Sequence, residues 1–145
     1  MKKIVISGYY GFDNLGDEAI LAAVVQSLKQ LNEDFSIVVL SNQPQVTAER
    51  YQVEAINRYD FKTIFKTIKE ADIFISGGGS LLQDVTSWRT IPYYLGLVWL
   101  AQFFQLKTVF YAQGVGPINS TLNRKLVKWV GNRTDQITVR DRDSA

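Results

Sequence analysis

Unbroken apolar runs and helix-spaced apolar positions take turns along this chain. "KIVIS" (3–7) is a continuous run of mostly β-branched residues. From Asp17 to Leu31, apolar Ile20, Leu21, Val24, Val25, Leu28 and Leu31 return at the three-to-four-residue spacing of one helix face. "FSIVVL" (35–40) reads as a second buried strand, Pro44 punctuates a loop after it, and "VEAI" (53–56) reads as a short third strand. Phe61, Ile64, Phe65 and Ile68 share one face of a helix over 60–70, which leads into the strand "DIFIS" (72–76) and then "GGG". A very apolar helix over 91–105 precedes the strand "KTVFYA" (107–112), which ends at "QGVGP". A helix over 120–132, with Leu122, Leu126, Val127 and Val130 on its inner face, and the strand "QITVR" (136–140) complete the series. Strands that are unbroken rather than alternating suit a parallel sheet covered on both faces. Their alternation with helices gives right-handed βαβ units. The expected fold is α/β: a Rossmann-like, doubly wound, mostly parallel sheet forming one domain over residues 1–145.

Composition narrows what such a domain can do. The chain has 145 residues, 46% hydrophobic and 21% charged, in the range of an ordinary globular domain. Its net charge of +2 argues against a dedicated nucleic-acid binder. The absence of cysteine excludes disulfides and thiolate metal sites, and the absence of histidine removes the commonest general base and metal ligand. Acid–base work must fall to Asp, Glu, Lys, Arg or Tyr. The acids are scattered, and no metal constellation emerges. The apolar start is too short for a signal peptide, and no run reaches the ~18 apolar residues that a membrane span needs. A cytoplasmic location is expected. "DQITVRDRDSA" stops just after a strand, which reads as an N-terminal part of a longer protein.

Ligands of open parallel sheets bind at the carboxyl ends of the strands. Three glycine-rich stretches are expected there: Gly8, Gly11 and Gly16 after the first strand, Gly77–Gly79 after the fourth, and Gly114, Gly116 and Pro117 after the fifth. Glycine lets backbone N–H groups approach a ligand, and a following helix N-terminus favours an anion. Turn geometry alone also accounts for glycine in such loops. The spacing is not the dinucleotide fingerprint: Leu82 stands where a third glycine would follow Gly77 and Gly79, and the first loop has no Gly-x-Gly. No Gly-Lys-Ser/Thr phosphate loop is present either.

Four blocks in order, "GYYGFDNLGDEAIL", "SGGGSLLQDVTSWRTIPYYL", "YAQGVGPI" and "ITVRDRDS", cover nearly the whole chain. They resemble the successive blocks of the polysaccharide pyruvyl transferase family, and most nearly its CsaB-like members. The resemblance implies the N-terminal half of a GT-B-like enzyme, two Rossmann-like halves facing across a cleft. It implies transfer of pyruvate from phosphoenolpyruvate to a sugar as a ketal, with release of phosphate and no cofactor. In the CsaB-like members the acceptor is a lipid-linked saccharide carrying N-acetylmannosamine, and the product decorates cell-wall glycans that anchor S-layer proteins. The family places much of its phosphoenolpyruvate site, a His included, in the C-terminal half, so this chain is expected to be inactive without that partner domain.

Ketal formation asks for a base, an acid and cations for the donor's carboxylate and phosphate. Asp13 and Asp17, four apart across the helix start, are candidates for the base or for holding sugar hydroxyls; first-turn carboxylates also suit a helix dipole. Gly11 and Gly16 allow the close approach, and Asn14 can orient a hydroxyl. Gly78 and Gly79 offer an anion nest. Ser80, Gln83 and Asp84 offer hydrogen bonds to sugar. Arg89 can grip phosphate. The family pattern RDxxS matches Arg140, Asp141 and Ser144, which makes Arg140 a candidate for the donor's anionic groups. Gln113 and Gly114 line the expected cleft. The run 91–104 reads as a buried helix. The alternative is a surface for a membrane or lipid acceptor at the inner face of the cell membrane, carried by Tyr93, Tyr94 and Trp99 with Lys62, Lys66 and Lys69 nearby. Two other readings stand beside the transferase: a nucleotide-sugar glycosyltransferase of related architecture, and a non-catalytic glycan-binding module.

Overall fold

The computed structural model describes residues 2–12, 15–31, 34–77, 79–82, 90–115 and 136–139. Seven strands form one parallel sheet: β1 (Lys2–Ser7), β2 (Phe35–Ser41), β3 (Glu54–Asn57), β4 (Ile73–Ser76), β5 (Gly79–Leu82), β6 (Lys107–Val115) and β7 (Gln136–Val139). Four helices are described: α1 (Leu15–Lys29), α2 (Pro44–Tyr51), α3 (Phe61–Glu70) and α4 (Thr90–Phe103). β1 pairs with β2 on one side and β4 on the other, and β3 pairs with β2. Along β6, Phe110 is matched by both Ser76 and Ile137, and Gln113 by both Gly79 and Val139. A strand has two edges, so β4 and β5 share one edge of β6 and β7 takes the other. β5 therefore extends the line of β4 past Gly77. The chain winds outward from β1 to β3 in one direction and from β4 to β7 in the other. The order reverses between β1 and β4, the switch point of a doubly wound sheet.

Alternation along β1 explains why the sheet needs cover on both faces. Ile4 and Ile6 join Leu21, Val24 and Val25 of α1 in one core, while Val5 joins Ile64 and Ile68 of α3 and Leu95, Val98 and Ala101 of α4 in the other. All are nearly inaccessible to water, and burying each aliphatic side chain contributes about 1.5–3 kcal/mol.

Several boundaries differ from the sequence reading. Pro44 does not punctuate a loop. It opens α2, where its missing N–H and fixed φ suit the first turn, and Gln52 closes the helix at φ 56. α2 escaped the periodicity because Thr47 is its one buried residue. Gly79 opens a strand, and β6 runs on to Val115, so Gly114 lies within a strand as well. α1 begins at Leu15, so Gly16 sits inside its first turn. α4 is not uniformly buried: Tyr94, Leu95, Leu97, Val98 and Ala101 face inward, while Gly96, Trp99 and Phe103 face solvent. The helix expected over 120–132 lies outside the described residues.

Candidate functional site

The switch-point crevice lies between the carboxyl ends of β1 and β4. The loop after β1 is pinned to the turn after β2: Asn42 donates its backbone N–H to the Tyr10 carbonyl at 3.0 Å. Gly11 reaches φ +84 there, and a side chain on it would strike Ser41 and the backbone of Asn42 and Gln43. Gly77 donates to the Ser7 carbonyl at 2.7 Å and closes the crevice floor.

The Tyr10 ring fills the space that the glycines leave. A Cβ on Gly8 or on Gly77 would fall on the Tyr10 phenol. Glycine at these two positions thus serves a buried aromatic, whatever else it serves. Tyr10 is fully buried, and its hydroxyl has no hydrogen-bond partner among the described residues. Burial, and secondarily the Asp17 carboxylate, push its pKa far up. It is a neutral phenol at any ordinary pH.

Asp17 occupies the first turn of α1, half-buried, where the helix dipole favours a carboxylate. Its charge acts on Tyr10 of the β1 loop and on Tyr94 of α4, so groups from opposite faces of the sheet meet above its edge. Glu18 beside it turns away: Arg50 of α2 meets its Oε1 at 3.3 Å, and Tyr51 donates to its carbonyl at 3.2 Å.

Arg58, one residue past β3, is the charged centre of this edge and was not among the candidates drawn from sequence. It is 5% exposed. Its guanidinium carbon lies 4.8 Å from the ring centre of Tyr93, 4.9 Å from Phe12, 5.4 Å from Tyr59, 5.5 Å from Tyr94 and 5.8 Å from Tyr9. Arg58 Nη2 donates to the Tyr94 hydroxyl at 3.1 Å, and Tyr93 donates to the Arg58 carbonyl at 2.6 Å. Burial pulls the Arg58 pKa down, but the tyrosine hydroxyls around it, Tyr94 first, outweigh that and raise it. Burial pushes Tyr94 up to about 12, against the pull of Arg58. Among the described residues the edge therefore brings together the Arg58 cation, the half-buried Asp17 carboxylate and the neutral phenols of Tyr10 and Tyr94.

The other sequence candidates divide. Gly11, Gly16 and Asp17 come together at the end of β1. Gly79 and Ser80 of β5 run beside Gln113 and Gly114 of β6, with Gly79 directly opposite Gln113. Asp13, Asn14, Gly78, Gln83, Asp84, Arg89 and Arg140 lie outside the described residues. Arg58 was missed because "AINRYD" has no glycine to flag it, although it stands at the carboxyl edge like the loops that were flagged. A groove between the ends of α1 and α2 and the starts of β2 and β3 lies at the opposite, amino edge, where no catalytic constellation accompanies it.

Comparison with known proteins places the chain. No curated protein matches its sequence. Among solved structures it is similar to the UDP-GlcNAc 2-epimerase of Methanocaldococcus jannaschii, with a TM-score of 0.58 at 14% identity. That likeness covers 96% of this chain and 39% of the other, and it speaks for the Rossmann-like fold. The sequence model of the polysaccharide pyruvyl transferases matches residues 14–145, from the start of α1 through β7. With that match over nearly its whole length, the chain belongs to the polysaccharide pyruvyl transferase family.

Proposed function

We propose that this domain forms one wall of an enzyme that moves pyruvate from phosphoenolpyruvate onto a lipid-linked cell-wall saccharide as a ketal. The family match over residues 14–145 carries the reading. In the reaction one sugar hydroxyl adds to C2 of the enolpyruvyl group while the methylene takes a proton and becomes methyl. Phosphate then leaves, and a second hydroxyl adds to the same carbon and closes the ring. Each hydroxyl must lose a proton. Asp17 is the acceptor-side base in this proposal: among the described residues it is the half-buried carboxylate in the first turn of α1, at the switch point. Asp13 and Asn14 assist on the same loop, Gly78, Ser80, Gln83 and Asp84 bind acceptor, and Arg89 and Arg140 meet the donor's anionic groups. A C-terminal domain supplies the rest of the donor site, so the domain alone is inactive.

A lipid-linked acceptor brings the enzyme to the inner face of the cell membrane, where its product goes on to hold S-layer proteins. Exposed Phe65, Trp99 and Phe103 beside Lys62, Lys66 and Lys69 support a peripheral contact. No helix among the described residues is long and apolar enough to cross a membrane.

Phosphate release from phosphoenolpyruvate, with and without a lipid-diphosphate acceptor carrying N-acetylmannosamine, tests the reading. Acceptor-dependent release by the full-length protein is expected, with none from residues 1–145 alone. Asp17→Asn is expected to lower kcat by about 10²–10⁴-fold with KM little changed, the range for losing a general base. Wild-type turnover by that variant removes Asp17 from the base role. Turnover of a nucleotide sugar in place of phosphoenolpyruvate replaces the donor.

A further inference from the structure

Arg58 carries a buried charge. Among the described residues no carboxylate forms an ion pair with it; the two pairs present are Lys3–Glu70 and Arg50–Glu18. Its Nη2 is used by Tyr94, but Nε and Nη1 are buried and have no hydrogen-bond partner among the described residues. A buried cation needs a counter-charge, and buried donors need acceptors. Ring faces supply part of the charge compensation through cation–π attraction. They supply no acceptor for an N–H lying in the guanidinium plane. The position is also telling. Arg58 follows β3 at the carboxyl edge of the sheet, the edge where ligands of doubly wound sheets bind, and its carbonyl and Nη2 are held by Tyr93 and Tyr94. Two neighbouring hydroxyls of α4 therefore hold Arg58 before any ligand arrives, one at its backbone carbonyl and one at its guanidinium.

We propose that Arg58 is the seat of an oxyanion, a phosphate or carboxylate of the substrate, which accepts from the unpartnered N–H groups of Nε and Nη1 after passing the exposed rings of Tyr9 and Tyr59. These two rings are 40% and 56% exposed, whereas Tyr94 is buried. Tyr9 stacks on Phe12 at 4.1 Å. Nη2 gives one of its two N–H groups to Tyr94, and the other stays available beside Nε or Nη1 for a two-pronged grip on the oxygens of an anion. Both proposed substrates carry phosphate, the donor as a monoester and the acceptor as a diphosphate. This identification of the ligand rests on the transferase reading; the anion seat itself does not.

Calorimetric titration of the full-length protein with inorganic phosphate, phosphoenolpyruvate and a soluble diphosphate-linked sugar tests the proposal. Wild type is expected to bind at least one of them, and Arg58→Met to weaken that ligand tenfold or more, with Arg58→Lys in between. Loss confined to phosphoenolpyruvate assigns the seat to the donor, and loss confined to the diphosphate sugar assigns it to the acceptor. Equal affinity in wild type and Arg58→Met, or no binding of any of the three by wild type at millimolar concentration, overturns it. If Arg58→Met does not fold, the Arg58 Nε–H signal of arginine-labelled wild type is followed by NMR, assigned with Arg58→Lys. A saturable shift with the anion is expected, and an unmoved signal while the anion binds overturns the proposal. Intact Arg58-dependent binding without any phosphate release sinks the transferase reading and leaves the anion seat standing.

Discussion

Gly77 and Tyr10 constrain each other more tightly than any motif reading of "SGGGS" conveys. The Gly77 Cα–H faces the Tyr10 hydroxyl so closely that a methyl group cannot be added without displacing the ring. Tyr10 is fully buried, so the ring has nowhere nearby to go. Gly77→Ala is therefore expected to cost about 1–3 kcal/mol, the usual range for overpacking a core. Tyr10→Phe removes the very atom that the new methyl meets first. It also removes a buried hydroxyl that lacks a partner among the described residues, so the single change is expected to be close to neutral or mildly stabilising. The double variant should then be more stable than the sum of the single effects predicts, a coupling of about 0.5–3 kcal/mol for groups in contact. Urea midpoints of the four proteins measure it. Strict additivity would mean that the ring does not limit position 77.

Contacts between elements set the pH range in which the carboxyl edge holds together. Tyr94 of α4 reaches over the sheet to Arg58 at the end of β3, and Tyr93 takes the Arg58 carbonyl. Burial raises the pKa of both phenols, Tyr94 from 10.0 to about 12. A phenol with a folded pKa above its unfolded one holds its proton more tightly in the fold. Its contribution is complete below about pH 10 and is lost as pH rises through about 12. Stability should fall over that alkaline window. Tyr94→Phe should flatten part of the fall, with Tyr10 and Tyr93 keeping the remainder, and should itself cost about 1.5–3 kcal/mol at neutral pH for the bond to a charged group. Denaturant midpoints at pH 8, 10, 11 and 12 decide it; an unchanged slope in Tyr94→Phe removes Tyr94 from the account. The same contacts show what sequence could and could not reveal. "KIVIS", "FSIVVL" and "DIFIS" announce buried parallel strands because their central residues are apolar without alternation, whichever face each meets. α2 carries no such signal, since it lies on the sheet through Thr47 and Tyr51 alone and leaves Val46 exposed. Arg58 was illegible for a related reason. Its aromatic partners come from the β1 loop, the β3–α3 turn and α4, and only the fold brings those three stretches together. The place of Asp17 at the carboxyl edge was legible because strand end, glycine and helix start are adjacent in the chain.

The molecule as a whole presents an unusual outer face on the α3–α4 side. α4 has no charged residue over its fourteen positions, and the side chains it turns outward include Trp99 and Phe103. Phe65 of α3 meets Phe104 edge-on, and Phe103 packs on both Phe104 and Trp99. The result is a ring cluster that crosses both helices and stays 41–64% exposed at Phe65, Trp99 and Phe103. Lys62, Lys66 and Lys69 flank it at the i, i+4, i+7 spacing of one helix stripe. Aromatic rings beside lysines fit the interfacial zone of an anionic bilayer: the rings enter the headgroup layer and the ammonium groups meet lipid phosphate. Each lysine near such a surface contributes about 1 kcal/mol, a term that salt screens. The protein is therefore expected to co-sediment with phosphatidylglycerol vesicles far better than with phosphatidylcholine vesicles, and to come off as salt is raised. Two sets of changes separate the forces. Lys62→Gln with Lys66→Gln should reduce binding mainly at low salt. Trp99→Ser with Phe103→Ser should reduce it at every salt concentration, and both positions are exposed enough for the fold to tolerate polar replacements. Vesicle binding by the doubly serine-substituted protein equal to that of wild type would show that this face does not carry the contact.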